Sequence, residues 1–224
     1  MSAGAAVVVG ATGQTGSAMV KELLGGDGEP RCSRVVAYGN SRLPQYQGPR
    51  QELFEARQCP MDQLGSARAE ELKGFDSLFI HIGTQKRKVG LENQIKLEFD
   101  DTLAVATAAK AGGVKNCHLV SSVYADANGG ATYLRTKGRI EEALKGLGFE
   151  RMCIYRPGML YGGDRTSSTF RKIVGPLIPI LSFGTLTRIH VEEVAAAMRV
   201  VATRKAEKAV EVYENNELVR LSKA

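Results

Sequence analysis

The chain has 224 residues, of which 43% are hydrophobic and 24% are charged, so it can bury a sizeable core and is not a disordered chain. The formal net charge is +6, but no run of five basic residues occurs, which argues against nucleic-acid binding as the main function. Four widely spaced cysteines contain no Cys-x-x-Cys pair, which argues against a disulfide framework and against a zinc site.

No apolar run of the sequence reaches the length that a membrane-spanning helix needs. The first residues lack the basic start and the long apolar stretch of a signal peptide. We therefore expect an intracellular protein without a transmembrane segment, located in the cytoplasm, with a mitochondrial location as the alternative.

Apolar β-branched runs alternate with amphipathic stretches, the pattern of a parallel sheet covered by helices on both faces. In the first half of the chain this pattern predicts strands at residues 5–9, 34–38, 51–56 and 77–82, and helices over residues 17–24 and 92–111. In the second half it predicts strands at residues 116–120, 151–155 and 209–213, and helices over residues 132–147 and 191–202.

Residues 159–188 break this alternation and are predicted to form an irregular lid or substrate lobe around two prolines, Pro176 and Pro179. No internal repeat and no linker divides the chain. The sequence therefore predicts one doubly wound α/β domain of Rossmann type over residues 1–224.

A glycine-rich loop follows the first predicted strand directly and leads into the first helix. Gly10, Gly13 and Gly16 punctuate it. Glycines allow the backbone of such a turn to approach a diphosphate, which then lies against the amides at the positive end of the helix. The loop predicts a dinucleotide site.

The second strand is followed by Asn40, Ser41 and Arg42, with no acid in this turn. Proteins specific for NAD usually place a carboxylate here to hold the ribose 2′-hydroxyl, whereas Arg42 suits a 2′-phosphate. We therefore predict NADP(H) over NAD(H). An arginine that stacks on the adenine or points to solvent is the alternative.

Tyr133 and Lys137 stand four residues apart on a predicted helix and so share one face. A nearby ammonium stabilises the tyrosinate, which allows the phenol to exchange a proton with a carbonyl or an alcohol. Ser121 and Ser122 end the fifth strand, where open α/β sheets bind their ligands. Spacing favours Ser121 slightly as the substrate-facing serine, and both remain candidates.

At these residues the chain resembles the short-chain dehydrogenase/reductase superfamily over nearly its whole length. The glycine spacing is that of the atypical and extended branches, and residues 156–158 are similar to their Arg-Pro-Gly segment. Residues 119–122, 133–138 and 156–158 resemble, more narrowly, the Tat-interacting-protein-like oxidoreductase branch.

The resemblance implies NADP(H) binding, with catalysis by Tyr133, Lys137 and a serine. The cofactor-binding residues expected from the motifs and the resemblance together are Gly10, Thr12, Gly13, Gln14, Thr15, Gly16, Asn40, Ser41, Arg42, Ile82, Gly83, Thr84, Tyr133, Lys137, Pro157, Gly158 and Leu160.

The chain departs from the resemblance in two places. The branch typically has adjacent arginines where this chain has Asn40 and Ser41. Many superfamily members also carry an asparagine of a proton relay on the helix before the fifth strand, and none aligns here around Glu98.

The remaining candidates favour ordinary roles. His81, His118 and His190 lack metal-ligand spacing, so packed or capping histidines are expected and no metal site is predicted. Residues 86–88 are a basic cluster that is expected to be a solvated loop, with contact to a substrate or a protein partner as the alternative.

Two functions follow from these patterns. The first is an NADP(H)-dependent oxidoreductase that reduces a small carbonyl compound or oxidises the corresponding alcohol. The second is a non-catalytic NADP(H)-binding regulator or accessory subunit of a larger protein assembly, because a fold does not fix a function. The intact Tyr133 and Lys137 favour the enzyme.

Overall fold

The computed structural model describes residues 3–25, 28–83, 95–162 and 188–224. The strands are β1 (Ala3–Val9), β2 (Cys32–Gly39), β3 (Phe54–Gln58), β4 (Ser77–Ile80), β5 (Asn116–Val120), β6 (Arg151–Arg156), β7 (Met159–Tyr161), β8 (Arg188–His190) and β9 (Val210–Glu214). The helices are α1 (Gln14–Leu23), α2 (Met61–Leu64), α3 (Thr102–Ala111), α4 (Thr132–Gly146), α5 (Val191–Thr203) and α6 (Asn215–Leu221).

Seven of the described strands form one parallel sheet in the order β3-β2-β1-β4-β5-β6-β9. The order reverses between β1 and β4, which is the topological switch point where ligands bind in doubly wound sheets. The predicted doubly wound α/β fold is confirmed. β7 and β8 pair in a separate short parallel sheet.

The sheet separates two hydrophobic cores, because successive side chains of a strand point to opposite faces. In β1, Val8 packs in the core shared with α1 and α5, whereas Val7 and Val9 pack in the core shared with α3 and α4. Ile140 and Leu144 lie four residues apart on α4 and are both almost fully buried. Each such side chain contributes about 1.5–3 kcal/mol through burial, so α4 is fixed firmly against the sheet.

Most predicted boundaries agree with the structure to within two residues, and the exceptions have local causes. α1 begins at Gln14 rather than at residue 17, because its first turn is polar and gives no apolar periodicity. The third strand is Phe54–Gln58, preceded by a 3-10 turn at Gln51–Leu53, because this edge strand is only half-buried and its pattern is weak.

The helix predicted over residues 92–111 is described from residue 95, and it contains a π-helical segment, Lys96–Asp101, before α3. The short elements α2, α6, β7 and β8 were not predicted. Most of the predicted lid lies outside the described residues. Across the described ranges, none of the helices combines the length and the apolar composition that crossing a bilayer requires.

Candidate active site

The glycine loop between β1 and α1 folds back tightly on itself and on the end of β4. The Gly13 amide donates a hydrogen bond to the Gly10 carbonyl (3.0 Å). Gly10 has φ +77°, and a Cβ there would lie 2.6 Å from the His81 carbonyl oxygen. A Cβ on Gly16 would lie 2.5 Å from the Gly10 carbonyl oxygen. Glycine is therefore required at both positions.

The loop fits a diphosphate. Gly13 is the N-cap of α1 without a side-chain hydrogen bond, and the first amide bonded back into the helix is that of Ser17, to the Gly13 carbonyl (2.9 Å). The intervening amides therefore point out at the positive end of the helix. Gln14 Nε2 is shielded from solvent and has no hydrogen-bond partner among the described residues. This donor set suits phosphate oxygens.

The turn after β2 approaches the glycine loop. A Cβ on Gly39 would lie 2.7 Å from Thr12 Cγ2, so the two turns are in close contact. Asn40 Oδ1 accepts a hydrogen bond from the Met61 amide (3.1 Å) and fixes the turn. Ser41 and Arg42 are exposed, and Arg42 Nη2 lies 3.5 Å from the Thr12 carbonyl oxygen. A cation thus borders the loop, with no carboxylate in the turn.

α4 brings Tyr133 and Lys137 to the same edge of the sheet. Lys137 Nζ lies 5.9 Å from the centroid of the Tyr133 ring. It also donates a hydrogen bond to the Ile82 carbonyl (3.3 Å), in the segment that follows β4. Tyr133 is 45% exposed and Lys137 only 4%. A reachable phenol therefore lies beside a buried ammonium.

Lys137 is buried among groups that oppose the effect of burial. Burial by itself lowers the pKa of Lys137, but the nearby Glu98 carboxylate, together with Tyr133 and Glu141, outweighs burial and raises that pKa above its ordinary value. Lys137 Nζ and Glu98 Oε2 are 3.1 Å apart, and Glu98 is 2% exposed. A buried positive charge, compensated by Glu98, therefore lies next to the Tyr133 phenol.

The two serines after β5 have different surroundings. The Ser121 hydroxyl is buried and donates to Glu141 Oε1 (2.5 Å). The Ser122 hydroxyl donates to the Val123 carbonyl (3.2 Å), and the residue is partly exposed. Ser122 is therefore the more accessible of the two serines, whereas the spacing had slightly favoured Ser121.

Glu141 links three elements through a buried network. Arg156, at the end of β6, donates to both carboxylate oxygens of Glu141 (3.0 and 2.6 Å) and also pairs with Glu214 (3.1 Å). With the Ser121 hydrogen bond, this network ties α4 to the ends of β5 and β6. It fixes the helix that carries Tyr133 relative to the strand ends.

Close packing and backbone hydrogen bonds complete this edge. A Cβ on Gly138 would lie 2.2 Å from the Ala127 amide nitrogen, so the segment after β5 presses directly on α4. The Val123 amide donates to the Pro157 carbonyl (3.0 Å), and the Gly158 amide donates to Asn215 Oδ1 (2.7 Å). Together these contacts hold the segments after β5 and β6 side by side.

Several other predicted residues lie near this edge or outside the described part of the chain. Leu160 is 38% exposed and lies in β7. Gly83 follows Ile82 and has open space where a Cβ would stand. Thr84 and the basic cluster at residues 86–88 lie outside the described residues.

The histidines have packing and capping roles. His118 stacks on Phe79 with 4.4 Å between ring centroids, and its Nδ1 lies 2.9 Å from the Tyr155 hydroxyl. His81 is also buried. The His190 amide donates to Glu193 Oε2 (2.8 Å) in a capping box at the start of α5. Within the described ranges, no group of His, Cys, Asp and Glu side chains is arranged to hold a metal ion.

The supporting acids were missed by sequence reasoning. Glu98 and Glu141 reach their partners only through tertiary packing, and the sequence gives no spacing that links Glu98 with Lys137. Asn215 stands after the final strand, far along the chain from Gly158. Gly138 is a local signal for packing and not for these acids: a glycine inside a helix often has a packing reason, which here is the close approach of the Ala127 backbone.

Comparison with known proteins agrees with this geometry. Residues 10–215 match a family model described as NAD(P)H-binding. The chain is 31% identical to protein HTATIP2 of Rattus norvegicus, over 96% of this chain and 88% of that protein. It is 30% identical to the mitochondrial protein FMP52 of Eremothecium gossypii, over 97% of each chain.

Solved structures show the same fold. MoeE5, in complex with UDP-glucuronic acid and NAD, superposes with a TM-score of 0.68 at 21% identity, covering 94% of this chain and 75% of that one. Fold and site define a Rossmann-type, NAD(P)H-binding protein. The chain belongs to the atypical short-chain dehydrogenase/reductase family, among the relatives of HTATIP2 and FMP52.

Proposed function

We propose that this protein is an NADP(H)-dependent reductase of small carbonyl compounds, which also oxidises the corresponding alcohols. The proposal is carried by one observation, the exposed Tyr133 phenol beside the buried Lys137 ammonium at the sheet edge that also bears the glycine loop. The match of residues 10–215 to a family model described as NAD(P)H-binding supports the cofactor class.

The chain's own groups divide the work in this proposal. The amides at the start of α1 bind the diphosphate, and the segments after β4 and β6 orient the nicotinamide half. When bound, a reduced nicotinamide supplies the hydride. Ser122 donates a hydrogen bond to the substrate oxygen and Tyr133 gives it a proton, while Lys137 stabilises the resulting tyrosinate.

Preference for NADP(H) rests on the turn after β2. Arg42 is exposed beside Thr12, and the turn offers no carboxylate to a ribose 2′-hydroxyl. A 2′-phosphate placed there gains a charge-assisted hydrogen bond from the guanidinium. NADH lacks that phosphate and gains nothing from Arg42.

Tyr133→Phe separates catalysis from binding. We expect turnover of NADPH with a panel of small aldehydes and ketones to fall by about 10²–10⁴-fold, because general-acid catalysis is lost. NADPH binding, measured by fluorescence titration, should change little. Tyr46→Phe is the matched control, since it removes a phenol that donates only to the Pro49 carbonyl, and it should keep full activity.

The outcomes distinguish the two functions. Turnover in the wild type that is lost in Tyr133→Phe supports the enzyme. Tight NADPH binding with no turnover in either chain would support a non-catalytic regulator or assembly subunit instead. Failure of the wild type to bind either nucleotide would contradict both.

For cellular location we propose the cytoplasm, with the mitochondrion as the alternative that the FMP52 relatives raise by their names. Fractionation of cells expressing the tagged full chain tests the proposal, and recovery in the mitochondrial fraction would contradict it.

A further inference from the structure

Glu98 and Lys137 form an ion pair that is almost completely removed from water. Lys137 Nζ and Glu98 Oε2 are 3.1 Å apart, and the two residues are 4% and 2% exposed. The other ion pairs around α4 are more open, such as Lys145 with Glu142, whose side chains are 28% and 63% exposed. The Glu98–Lys137 pair is therefore an interior feature and not a surface salt bridge.

The backbone places Glu98 at this point. It lies in the π-helical segment Lys96–Asp101. Such segments are rare in proteins, and those that occur often lie at functional sites. The segment packs on α4, where the Arg139 guanidinium lies 4.9 Å from the centroid of the Phe99 ring. The carboxylate thus reaches Lys137 from one side while the Ile82 carbonyl accepts from the same ammonium.

A buried ammonium keeps its proton only if an opposite charge compensates the lost hydration. The groups that face Lys137 in the described chain are Glu98 from the π-helical segment, Tyr133 and Glu141 from α4 itself, and the Ile82 carbonyl from the end of β4. Tyr133 contributes a phenol rather than a carboxylate, and Glu141 is engaged by Arg156 and Ser121. Glu98 is the remaining anion.

We propose that Glu98 is the counter-ion that keeps Lys137 protonated in its dry site, and that it thereby acts, through Lys137, as a positioning residue that keeps the Tyr133 phenol reactive. The assignment of a reactive phenol rests on the function proposed above. The ion pair and its effect on Lys137 do not depend on that function.

The direct test is the titration of Lys137 followed by NMR of the full chain labelled with ¹³C-lysine. The resonance is assigned by its loss in Lys137→Met. In the wild type it should stay at the ammonium position through neutral pH. In Glu98→Gln and in Glu98→Asn the ammonium should deprotonate at lower pH, within the neutral range, because burial is no longer compensated. Glu98→Asp should stay close to the wild type.

Glu142→Gln is the matched control, because it removes an exposed acid from α4 and should leave the Lys137 resonance unchanged. If Lys137 titrates in the neutral range in the wild type, or keeps its charge in a folded neutral variant of Glu98, the proposal is overturned. Titration of Lys137 in the neutral range in the wild type would overturn the proposal even if no neutral variant of Glu98 folds.

Turnover adds a second readout. The kcat/KM of Glu98→Gln should fall about tenfold for each pH unit above the lowered transition of Lys137, so its alkaline limb moves to lower pH. A Lys137 transition that moves while no chain turns over substrate would uphold the counter-ion and refute the reductase. Turnover of substrate together with an unchanged Lys137 transition in Glu98→Gln would support the reductase and refute the counter-ion.

Discussion

The glycine loop and the proposed reaction centre around Tyr133 and Lys137 lie at the same edge of the sheet but are built in different ways. The loop, residues 10–16, consists of contiguous backbone without an ionisable side chain, and it is shaped by steric limits at Gly10 and Gly16. The reaction centre gathers side chains from α4, the π-helical segment and the strand ends, and it is held by buried charges. Local spacing therefore defines the first region, and tertiary contacts define the second.

The largest expected effect on cofactor binding comes from a steric clash in the loop. Gly16→Ala places a methyl group 2.5 Å from the Gly10 carbonyl oxygen and 2.9 Å from Ala11 Cα, so the backbone must shift. We expect NADPH affinity to fall about 100-fold, because the amides move out of line with the phosphates. Fluorescence titration measures the loss.

The same substitution at an open glycine is the control. Gly146→Ala adds a methyl group at the end of α4, where nothing lies within 4 Å, and should leave affinity unchanged. It should also raise the free energy of unfolding by up to about 1 kcal/mol. Equal affinities of the two variants would contradict the steric account of the loop.

Removal of one buried charge should destabilise the proposed reaction centre. Glu141→Gln keeps the shape of the side chain but leaves Arg156 without its bidentate partner in a largely buried site. We expect the free energy of unfolding in urea to fall by about 3 kcal/mol. Glu142→Gln, at the exposed neighbouring position, should change it by less than about 0.5 kcal/mol. A loss in Glu141→Gln as small as that in Glu142→Gln would show that the network adds no stability.

Acid should lower the free energy of unfolding through two buried histidines, His81 and His118. Burial lowers the pKa of His81 and of His118 to about 3 from the ordinary value of 6.5. Above pH 6.5 both rings are neutral in the folded and unfolded chain. Between pH 6.5 and about 3 only the unfolded chain takes up these protons, so stability falls by about 1.4 kcal/mol per pH unit for each histidine.

Urea unfolding at several values between pH 7 and pH 5 checks this dependence. His118→Phe preserves a ring against Phe79 and removes one titrating group, so it should lower the slope by about 1.4 kcal/mol per pH unit. An unchanged slope in this variant would mean that His118 is protonated in the folded chain.

The smallest effect is expected at the outer border of the loop. Arg42→Ala should weaken NADPH binding about tenfold and leave NADH binding unchanged, since only NADPH carries the 2′-phosphate. Stability should stay within about 0.5 kcal/mol, because Arg42 is exposed. Parallel titrations with both nucleotides measure this, and an unaltered preference would remove Arg42 from the cofactor site.

The comparison also explains how far the sequence could predict the protein. Periodicity predicts the order of strands and helices, and short spacings predict the glycine loop and the Tyr133–Lys137 pair. The structure places this loop and this pair at the same edge of the sheet. Glu98, Glu141 and Asn215 could not be predicted, because each meets its partner only after the sheet has assembled. Short elements such as α2 and α6 carry too few residues for a periodic signal.

The hydrogen bond from the Gly158 amide to Asn215 ties the final helix to the segment after β6, which we propose orients the nicotinamide half of the cofactor. Asn215 is the first residue of α6, and Asn215→Ala would retain the glycine loop, Tyr133 and Lys137 but would lose the acceptor that anchors the segment after β6. Such a variant should still recognise the adenosine half of a dinucleotide. It would hold the opposite half poorly, although it lacks no residue of the reaction centre itself.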